Sequence, residues 1–311
     1  MSAPFTAVAP RPDGSQSPVR QLFLITLGAV AIFFLLRFLP TGTNLNHMDF
    51  RLQGKNAIEF CDPANPQFIP VVAARSPVTL NLVAVQQVVA GQETRLRLEL
   101  RTTNGKAIAP EDVLVAHTKK LHLLIVDPSL QDYQHVHPVP GAQRGEWSFA
   151  FTPRFGGNYR VFADFTPAAT GRGLYASADL IVQGAAAKEN PVTLTPSVEQ
   201  DGFRYSVVPA QPIRAGQPAD LRFEIVRPDG GNVMMAPIMG AFAHLVAFDE
   251  TRSGFAHLHP MEIDLLQAPH PARPVLNFKV TIPQAGRYVI WSQVDIDGRE
   301  RFAPFWLEVA E

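Results

Sequence analysis

The 311-residue sequence predicts an all-β protein in which two tandem immunoglobulin-like antiparallel β-sandwiches follow one transmembrane helix. Three observations lead to this prediction. An uncharged apolar run lies near the N-terminus, strand-like alternation of apolar and charged residues follows it, and a unit of roughly 110 residues occurs twice. The net charge of −1 and the scattered Lys and Arg residues exclude a nucleic-acid-binding face.

The first element is the apolar run Leu22–Leu36, within the segment QLFLITLGAVAIFFLLRFLP. If Arg37 snorkels to the membrane surface, about 18 residues at ~1.5 Å each extend roughly 27 Å, enough to cross the hydrocarbon core of a bilayer. We therefore predict a transmembrane signal anchor over residues 21–40 that holds the chain in the lipid bilayer. A cleaved signal peptide is the alternative, but RFLPTGTN offers no small-x-small cleavage site.

The charges before this run predict its orientation. Arg11 and Arg20 stand against a single Asp13, and an excess of positive charge favours the cytoplasmic side. We expect residues 1–20 to form a cytoplasmic tail. The bulk of the chain is then extracytoplasmic, so the prediction is a single-pass protein of the inner (cytoplasmic) membrane with a periplasmic body.

Residues 41–76 form the next segment, which contains several prolines and has no counterpart in the repeat. We expect an extended strap or stalk that lies on the membrane or on the first sandwich. Cys61 is the only cysteine, so an intramolecular disulfide is excluded and the domains must be stabilised by packing alone. We interpret Cys61 as a buried structural thiol, because no His-x-x-Cys or Cys-x-x-Cys spacing surrounds it.

The repeat is most visible in two segments, HLLIVDPSLQDYQHVHP from His122 and HLVAFDETRSGFAHLHP from His244. They align without a gap at the His-Leu, the Asp, the aromatic residue and the closing His-x-His-Pro. Matches continue upstream, where AGQETRLRLELRTTNGKAI pairs with AGQPADLRFEIVRPDGGNV, and downstream, where Tyr159 aligns with Tyr288. The repeated unit is a whole domain, so we expect a first sandwich over residues 77–184, a linker over 185–190 and a second sandwich over 191–311.

Alternation within the units predicts strands that are buried on one side. Leu96, Leu98 and Leu100 share one face, and charged residues occupy the positions between them. Many such strands separated by Gly, Pro and Asp turns, without helical periodicity, indicate antiparallel sandwiches. A tyrosine shortly after a glycine in each unit also suits a corner in which the hydroxyl tethers one sheet to a loop.

The histidines of the first repeat can share one face of a hairpin. His135 and His137 point together because alternate side chains of a strand do so. If the loop DPSLQD is a turn centred between Leu130 and Gln131, His135 lies opposite Val126 and His137 opposite Leu124. That register puts His122 on the same face, diagonal to His137.

The second repeat has the same spacing, and one further position aligns in both. His117 stands five residues before His122, and Met239 stands five residues before His244. Imidazole and thioether both suit copper, and the thioether favours Cu(I). Met234, Met235 and Met261 lie near the second set. The candidate metal ligands, with a copper ion as the candidate cofactor, are therefore His117, His122, His135, His137, His244, His257, His259 and Met239.

A structural interpretation of the same residues stays open. The histidines could instead fix the hairpin turns by bonding Asp127, Asp249 and backbone carbonyls, with the methionines filling gaps in the core.

The motif of His-Leu, an apolar strand, Asp, an aromatic residue and His-x-His-Pro, followed by a Gly-x-Tyr strand, resembles the exported YtkA-like β-sandwich family, which is related to FixH-type domains. His122, His135 and His137 match in the first unit, as do His244, His257 and His259 in the second. The resemblance implies an immunoglobulin-like module sometimes associated with heavy-metal handling or respiratory-complex assembly, without a catalytic set. The tandem arrangement and the segment 41–76 depart from single-module members.

The sequence does not predict an enzyme. It contains no Gly-x-Ser-x-Gly elbow, no phosphate-binding glycine loop, no His-Glu-x-x-His and no cysteine placed with a histidine partner. We expect a membrane-anchored accessory subunit whose two sandwiches dock on the extracytoplasmic side of an integral membrane protein complex, of respiratory or photosynthetic type. The alternative is a periplasmic copper-binding or copper-delivery protein that uses the repeated His-x-His motifs.

Overall fold

The computed structural model describes residues 18–37, 45–50, 66–188 and 192–311. The chain divides into two compact units, Met1–Asn44 and Leu45–Glu311. The first contains helix α1, Pro18–Arg37. Its stretch Pro18–Leu36 has a mean hydropathy of 2.2 with none of it buried, so it is long and apolar enough to cross a membrane. A membrane anchor and a signal peptide both have these properties, and Phe38–Pro40 of the predicted span lie outside the described residues.

Within the described residues, the second unit contains a first β-sandwich of ten strands. One sheet has the order β1-β3-β8-β7, and the other has the order β2-β10-β9-β5-β6 with β4 on β9. All pairings are antiparallel except that of β2 with β10. The strands are β1 (Val78–Ala84), β2 (Val88–Val89), β3 (Thr94–Thr102), β4 (Val113–Leu114), β5 (Leu121–Val126), β6 (Tyr133–Val136), β7 (Val139–Pro140), β8 (Glu146–Phe151), β9 (Gly157–Pro167) and β10 (Leu174–Gln183).

A second sandwich of nine strands repeats this plan. Its sheets have the orders β11-β12-β13-β17 and β14-β18-β15-β16, with β19 on β18, so the predicted all-β fold class is confirmed. The strands are β11 (Ser197–Gln200), β12 (Phe203–Pro209), β13 (Pro218–Val226), β14 (Met235–Ala236), β15 (His244–Asp249), β16 (Phe255–Leu258), β17 (Val275–Thr281), β18 (Gly286–Ile296) and β19 (Arg299–Val309).

Each sandwich has its own apolar core, and a tyrosine ties a sheet to a loop in both. In β3, Leu96, Leu98 and Leu100 are fully buried, as the alternation predicts. The Tyr159 hydroxyl donates to Asp132 Oδ2 at 2.7 Å and accepts from the backbone N–H of Phe155 at 3.1 Å. The equivalent tyrosine of the second sandwich donates to a loop carbonyl at 3.0 Å, so the predicted corner is present twice.

The sandwiches pack against each other through the sheets that contain β5 and β15. Both strands are buried on both faces, which explains their near-continuous apolar sequences and corrects the expectation of burial on one side for these two strands. One face of each strand enters its own core. The other face enters a shared cluster between the sandwiches, formed by Ile69, Val71, Leu124, Val126, Leu130, Tyr133, Phe162, Tyr175, Val246, Phe248, Phe255, Val289 and Trp291.

The described parts of segment 41–76 contact both sandwiches. Leu45 and Phe50 enter the core of the first sandwich, as expected of a strap. Ile69, however, exchanges backbone hydrogen bonds of 2.8 and 3.1 Å with Phe255 of the second sandwich, so an association with the first sandwich alone is wrong. Gly254 permits this approach, because a Cβ there would collide with the Ile69 carbonyl. Residues 51–65, including Cys61, lie outside the described residues.

Candidate metal centre

The hairpins β5–β6 and β15–β16 carry the repeated histidines. The register pairs Leu124 with His135 and Val126 with Tyr133, so the predicted pairing of His135 with Val126 and of His137 with Leu124 is wrong by two residues. The carboxylate of Asp127 causes the difference, because it accepts loop N–H groups and centres the loop one residue earlier than assumed. A shift of two residues preserves the face, so the convergence of the histidines survives.

Each sandwich brings its three histidines together. His122 Nδ1 lies 3.1 Å from His135 Nε2 and 3.2 Å from His137 Nε2. In the second sandwich, His257 Nε2 lies 3.3 Å from His244 Nδ1. One ring nitrogen from every residue in a set lies within 4.8 Å of the others, so two sets could hold a metal ion. We call them triad 1 (His122, His135 and His137) and triad 2 (His244, His257 and His259).

A tight turn orients the first histidine of each triad. The Nε2 of His122 lies 3.0 Å from the carbonyl of Ala116, and the Nε2 of His244 lies 3.0 Å from the carbonyl of Ile238. A carbonyl can only accept, so both histidines carry their proton on Nε2 and leave Nδ1 bare when neutral. The histidines thus bond backbone carbonyls, but those of the preceding tight turn and not those of the hairpin turn that the structural interpretation named. Its carboxylate part is wrong, because Asp127 and Asp249 accept hydrogen bonds from their own loops.

The middle histidine of each triad is oriented by the opposite sandwich. Gln293, on β18, lies with Oε1 2.8 Å from Nδ1 of His135. The amide of Gln293 donates to Glu300, which fixes its oxygen toward the imidazole. Asp164, on β9, lies with Oδ2 3.2 Å from Nδ1 of His257. Both middle histidines therefore carry their proton on Nδ1 and leave Nε2 bare.

Bare nitrogens consequently face each other in both triads. Two lone pairs 3.1 Å apart, as between His122 and His135, repel unless a proton or a cation lies between them. Burial makes a proton unfavourable: it lowers the pKa of His137 to about 3 and that of His244 to about 4. It also holds the pKa of His135 well below its ordinary value. The buried Nε2 of His259 has no hydrogen-bond partner at all. A metal cation bound among them would satisfy these nitrogens.

The ring spacing within each triad suits one ion. Ring centres are 4.8, 4.9 and 5.3 Å apart in triad 1 and 4.7, 4.8 and 5.4 Å apart in triad 2. With nitrogen–metal bonds of ~2.0–2.1 Å, each ring centre would lie about 3.2 Å from the ion, and ligand–metal–ligand angles would be about 95–115°. Such angles describe a pyramid of three nitrogens with an open fourth position.

The two triads meet between the sandwiches. The rings of His135 and His257 are 5.3 Å apart, and those of His122 and His257 are 5.8 Å apart. His117, from the first sandwich, stacks on His259 of the second at 3.6 Å. It belongs to the cluster, although its stacked ring does not converge on triad 1 as a ligand would.

The predicted methionine ligand lies at the turn equivalent to that of His117. Met239 has a φ of 50° and His117 a φ of 48°, so both occupy the left-handed region at the tip of a tight turn. Met239 is half-buried there. Of the other methionines, Met235 packs against the core of the second sandwich, and Met234 and Met261 are exposed.

Sequence reasoning missed Asp164 and Gln293. A signal was present, because the alignment of Tyr159 with Tyr288 also aligns Asp164 with Gln293. Both are polar residues within long, largely buried strands. They lie beside the first histidine of their own triads, with His122 paired to Asp164 and His244 paired to Gln293.

Comparison with known proteins gives a family and a distant likeness. One family model, described as Domain of unknown function (DUF8832), matches residues 74–182 and 197–311. No curated protein matches the chain. Among solved structures, elastase-activated Escherichia coli alpha-2-macroglobulin is 13% identical with a TM-score of 0.24, and red sea bream transglutaminase is 9% identical with a TM-score of 0.23. Both matches cover 76% of this chain, but only 22% of the alpha-2-macroglobulin chain and 32% of the transglutaminase chain. So distant a likeness carries no argument about function.

Proposed function

The chain belongs to the DUF8832 family, and for this member we propose copper binding at two three-histidine sites between the sandwiches, with α1 as a membrane anchor and the sandwiches on the periplasmic side. The observation that carries the proposal is the set of converging bare nitrogens. Carbonyl, amide and carboxylate acceptors fix the protons on the outward nitrogens of His122, His244, His135 and His257.

The chemistry of the donors favours copper. Neutral imidazoles suit copper and zinc, whereas Mg²⁺ and Ca²⁺ require oxygen ligands. No carboxylate belongs to either described triad. Three neutral nitrogens in a largely buried site suit a monovalent ion in particular.

The surrounding residues perform the second task of a metal site, which is to orient the ligands. A histidine ligand whose other N–H is held by a carbonyl or carboxylate has a fixed tautomer and a more basic donor nitrogen. Ala116, Ile238, Gln293 and Asp164 supply these acceptors. The open fourth position of each pyramid would let an incoming donor bind the ion before a histidine releases it, so the arrangement suits storage or delivery of the ion.

The test is a competition titration on the full-length chain in detergent micelles, with Cu(I) supplied anaerobically from a coloured chelator. We expect the wild type to remove copper from the chelator and the double variant His137→Ala/His259→Ala to lose most of this capacity. His270→Ala is the matched control, because His270 is exposed and lies outside the triads. Equal copper retention by the double variant and the wild type would refute the proposal, provided that thermal melting shows both to be folded.

A second function, the accessory subunit, is favoured by one surface feature. The loop that follows triad 2 exposes Ile263 at 87% and Leu266 at 96% of their surfaces, with Met261 and Leu265 beside them. Exposed apolar side chains in a contiguous segment are typical of a binding surface. If this loop docks on an integral membrane complex, Ile263→Asp/Leu266→Asp should abolish co-purification of the partner after mild solubilisation. A wild-type chain that always migrates alone would rule out docking.

A further inference from the structure

The two triads are too close to bind ions independently. Each ion would lie about 3.2 Å from its ring centres, and the rings of His135 and His257 are 5.3 Å apart, so the two ions would be at most about 12 Å apart. The intervening space is filled by imidazoles of both sandwiches, because His257 also lies 5.8 Å from His122 and His135 lies 6.3 Å from His244. All six histidines of the triads are buried or half-buried, so screening of one ion from the other by solvent is weak.

Each triad is also completed from the opposite sandwich. Gln293 of the second sandwich holds His135 of triad 1, and Asp164 of the first sandwich holds His257 of triad 2. Gln293 is 1% exposed, so its bond to His135 is buried. The docking that orients one triad therefore orients the other, and the two sites are parts of one structure.

Little negative charge is available to offset bound cations. Apart from other histidines, the charged groups that act on the histidines of triad 1 are the Asp164 carboxylate and the Lys119 ammonium, and they have opposite signs. Glu300 accepts a hydrogen bond from the amide of Gln293 and so acts on His135 only through that residue. Two monovalent ions would give the six neutral imidazoles a charge of +2 beside one carboxylate, whereas two divalent ions would give +4.

We infer that the two triads form one two-metal centre that holds two cuprous ions but only one divalent ion with high affinity. This inference rests on the proposed function and adds a selectivity to it. At about 12 Å and an effective dielectric constant of about 20, repulsion weakens binding of a second monovalent ion by roughly 10-fold and of a second divalent ion by roughly 10⁴-fold. The charge of the ion thus decides how many ions the centre accepts.

The experiment compares Cu(I) with Zn²⁺, a divalent ion that also accepts imidazole and has no redox chemistry. The metal-free, full-length chain in detergent is titrated with each ion separately. We expect two Cu(I) per chain, and one tightly bound Zn²⁺ with a second at least about 100-fold weaker. The single-triad variants His137→Ala and His259→Ala should each bind one Cu(I). The variant with the higher Zn²⁺ affinity should bind Zn²⁺ as tightly as the first site of the wild type.

The outcomes separate the inference from the proposed function. Two Zn²⁺ ions bound with equal affinity would show independent sites and overturn the inference, while copper binding stood. A single Cu(I) per wild-type chain would also overturn it. Failure to bind either ion would overturn the proposed function as well. Thermal melting of both variants verifies folding, and the two variants remove different triads, so one folded variant is sufficient for the comparison.

Discussion

Replacement of Asp164 by Asn tests whether the opposite sandwich tunes triad 2. The carboxylate lies 3.2 Å from Nδ1 of His257, and its side chain is 21% exposed. Across the ring, a copper ion on Nε2 would lie about 7 Å from the carboxylate oxygen. At an effective dielectric constant of about 20, the lost attraction for a monovalent ion is about 2.4 kcal/mol.

Two smaller effects adjust this magnitude. A neutral acceptor forms a hydrogen bond about 1 kcal/mol weaker than a charged one, which adds to the loss. Burial raises the pKa of Asp164, so ionisation of its carboxyl costs free energy. This cost offsets part of the attraction between the carboxylate and the ion. The net loss is about 2–3 kcal/mol, or about 30- to 150-fold in copper affinity at triad 2.

The assay is a Cu(I) competition titration of Asp164→Asn in the His137→Ala background, where only triad 2 is intact. The parent His137→Ala is the reference, and Asp179→Asn is a control that removes an exposed carboxylate from the neighbouring strand β10. An affinity within about threefold of the parent would show that Asp164 does not tune triad 2, because the hydrogen bond to His257 would then have no effect on the ion.

Three further predictions concern the fold. Phe162→Ala should destabilise the second unit by about 3–5 kcal/mol in chemical unfolding, because Phe162 is fully buried between the sandwiches; a loss below about 1 kcal/mol would show that the shared cluster is not well packed. Tyr159→Phe should cost about 1–3 kcal/mol in the same assay by removing the hydroxyl bonded to Asp132, and an unchanged midpoint would contradict a structural corner. Protease added outside spheroplasts should digest residues 41–311 and spare a tag on residues 1–20; digestion of the tag alone would reverse the predicted topology.

The sequence was sufficient for the fold class, since local patterns report local structure. The alternation around Leu98 and the repeat of the His-x-His hairpin gave the strands and the tandem domains, and both are present. The two-residue register error arose because Asp127 caps the loop through side-chain bonds that a symmetric turn does not anticipate. Because the register error was an even number of residues, the prediction of which side chains share a strand face was still correct.

The relation between the two triads was beyond the sequence. Alternation shows that a strand has two faces, but it does not indicate what packs against the outer face. Here the outer faces of β5 and β15 pack in one shared cluster between the sandwiches. The exchange of Gln293 and Asp164 joins residues 158 and 93 positions from their histidines. Two separate sites were therefore predicted, and a single seven-histidine cluster that includes His117 is found.

X-ray absorption at the copper edge of the Cu(I)-loaded, full-length chain identifies the atoms that bind the metal. We expect three nitrogen neighbours per copper at about 2.0 Å, with the multiple-scattering pattern of imidazole, and loss of half the bound copper in His259→Ala. Copper coordinated mainly by oxygen, or with fewer than two imidazoles per ion, would contradict the claim that the triads hold the metal.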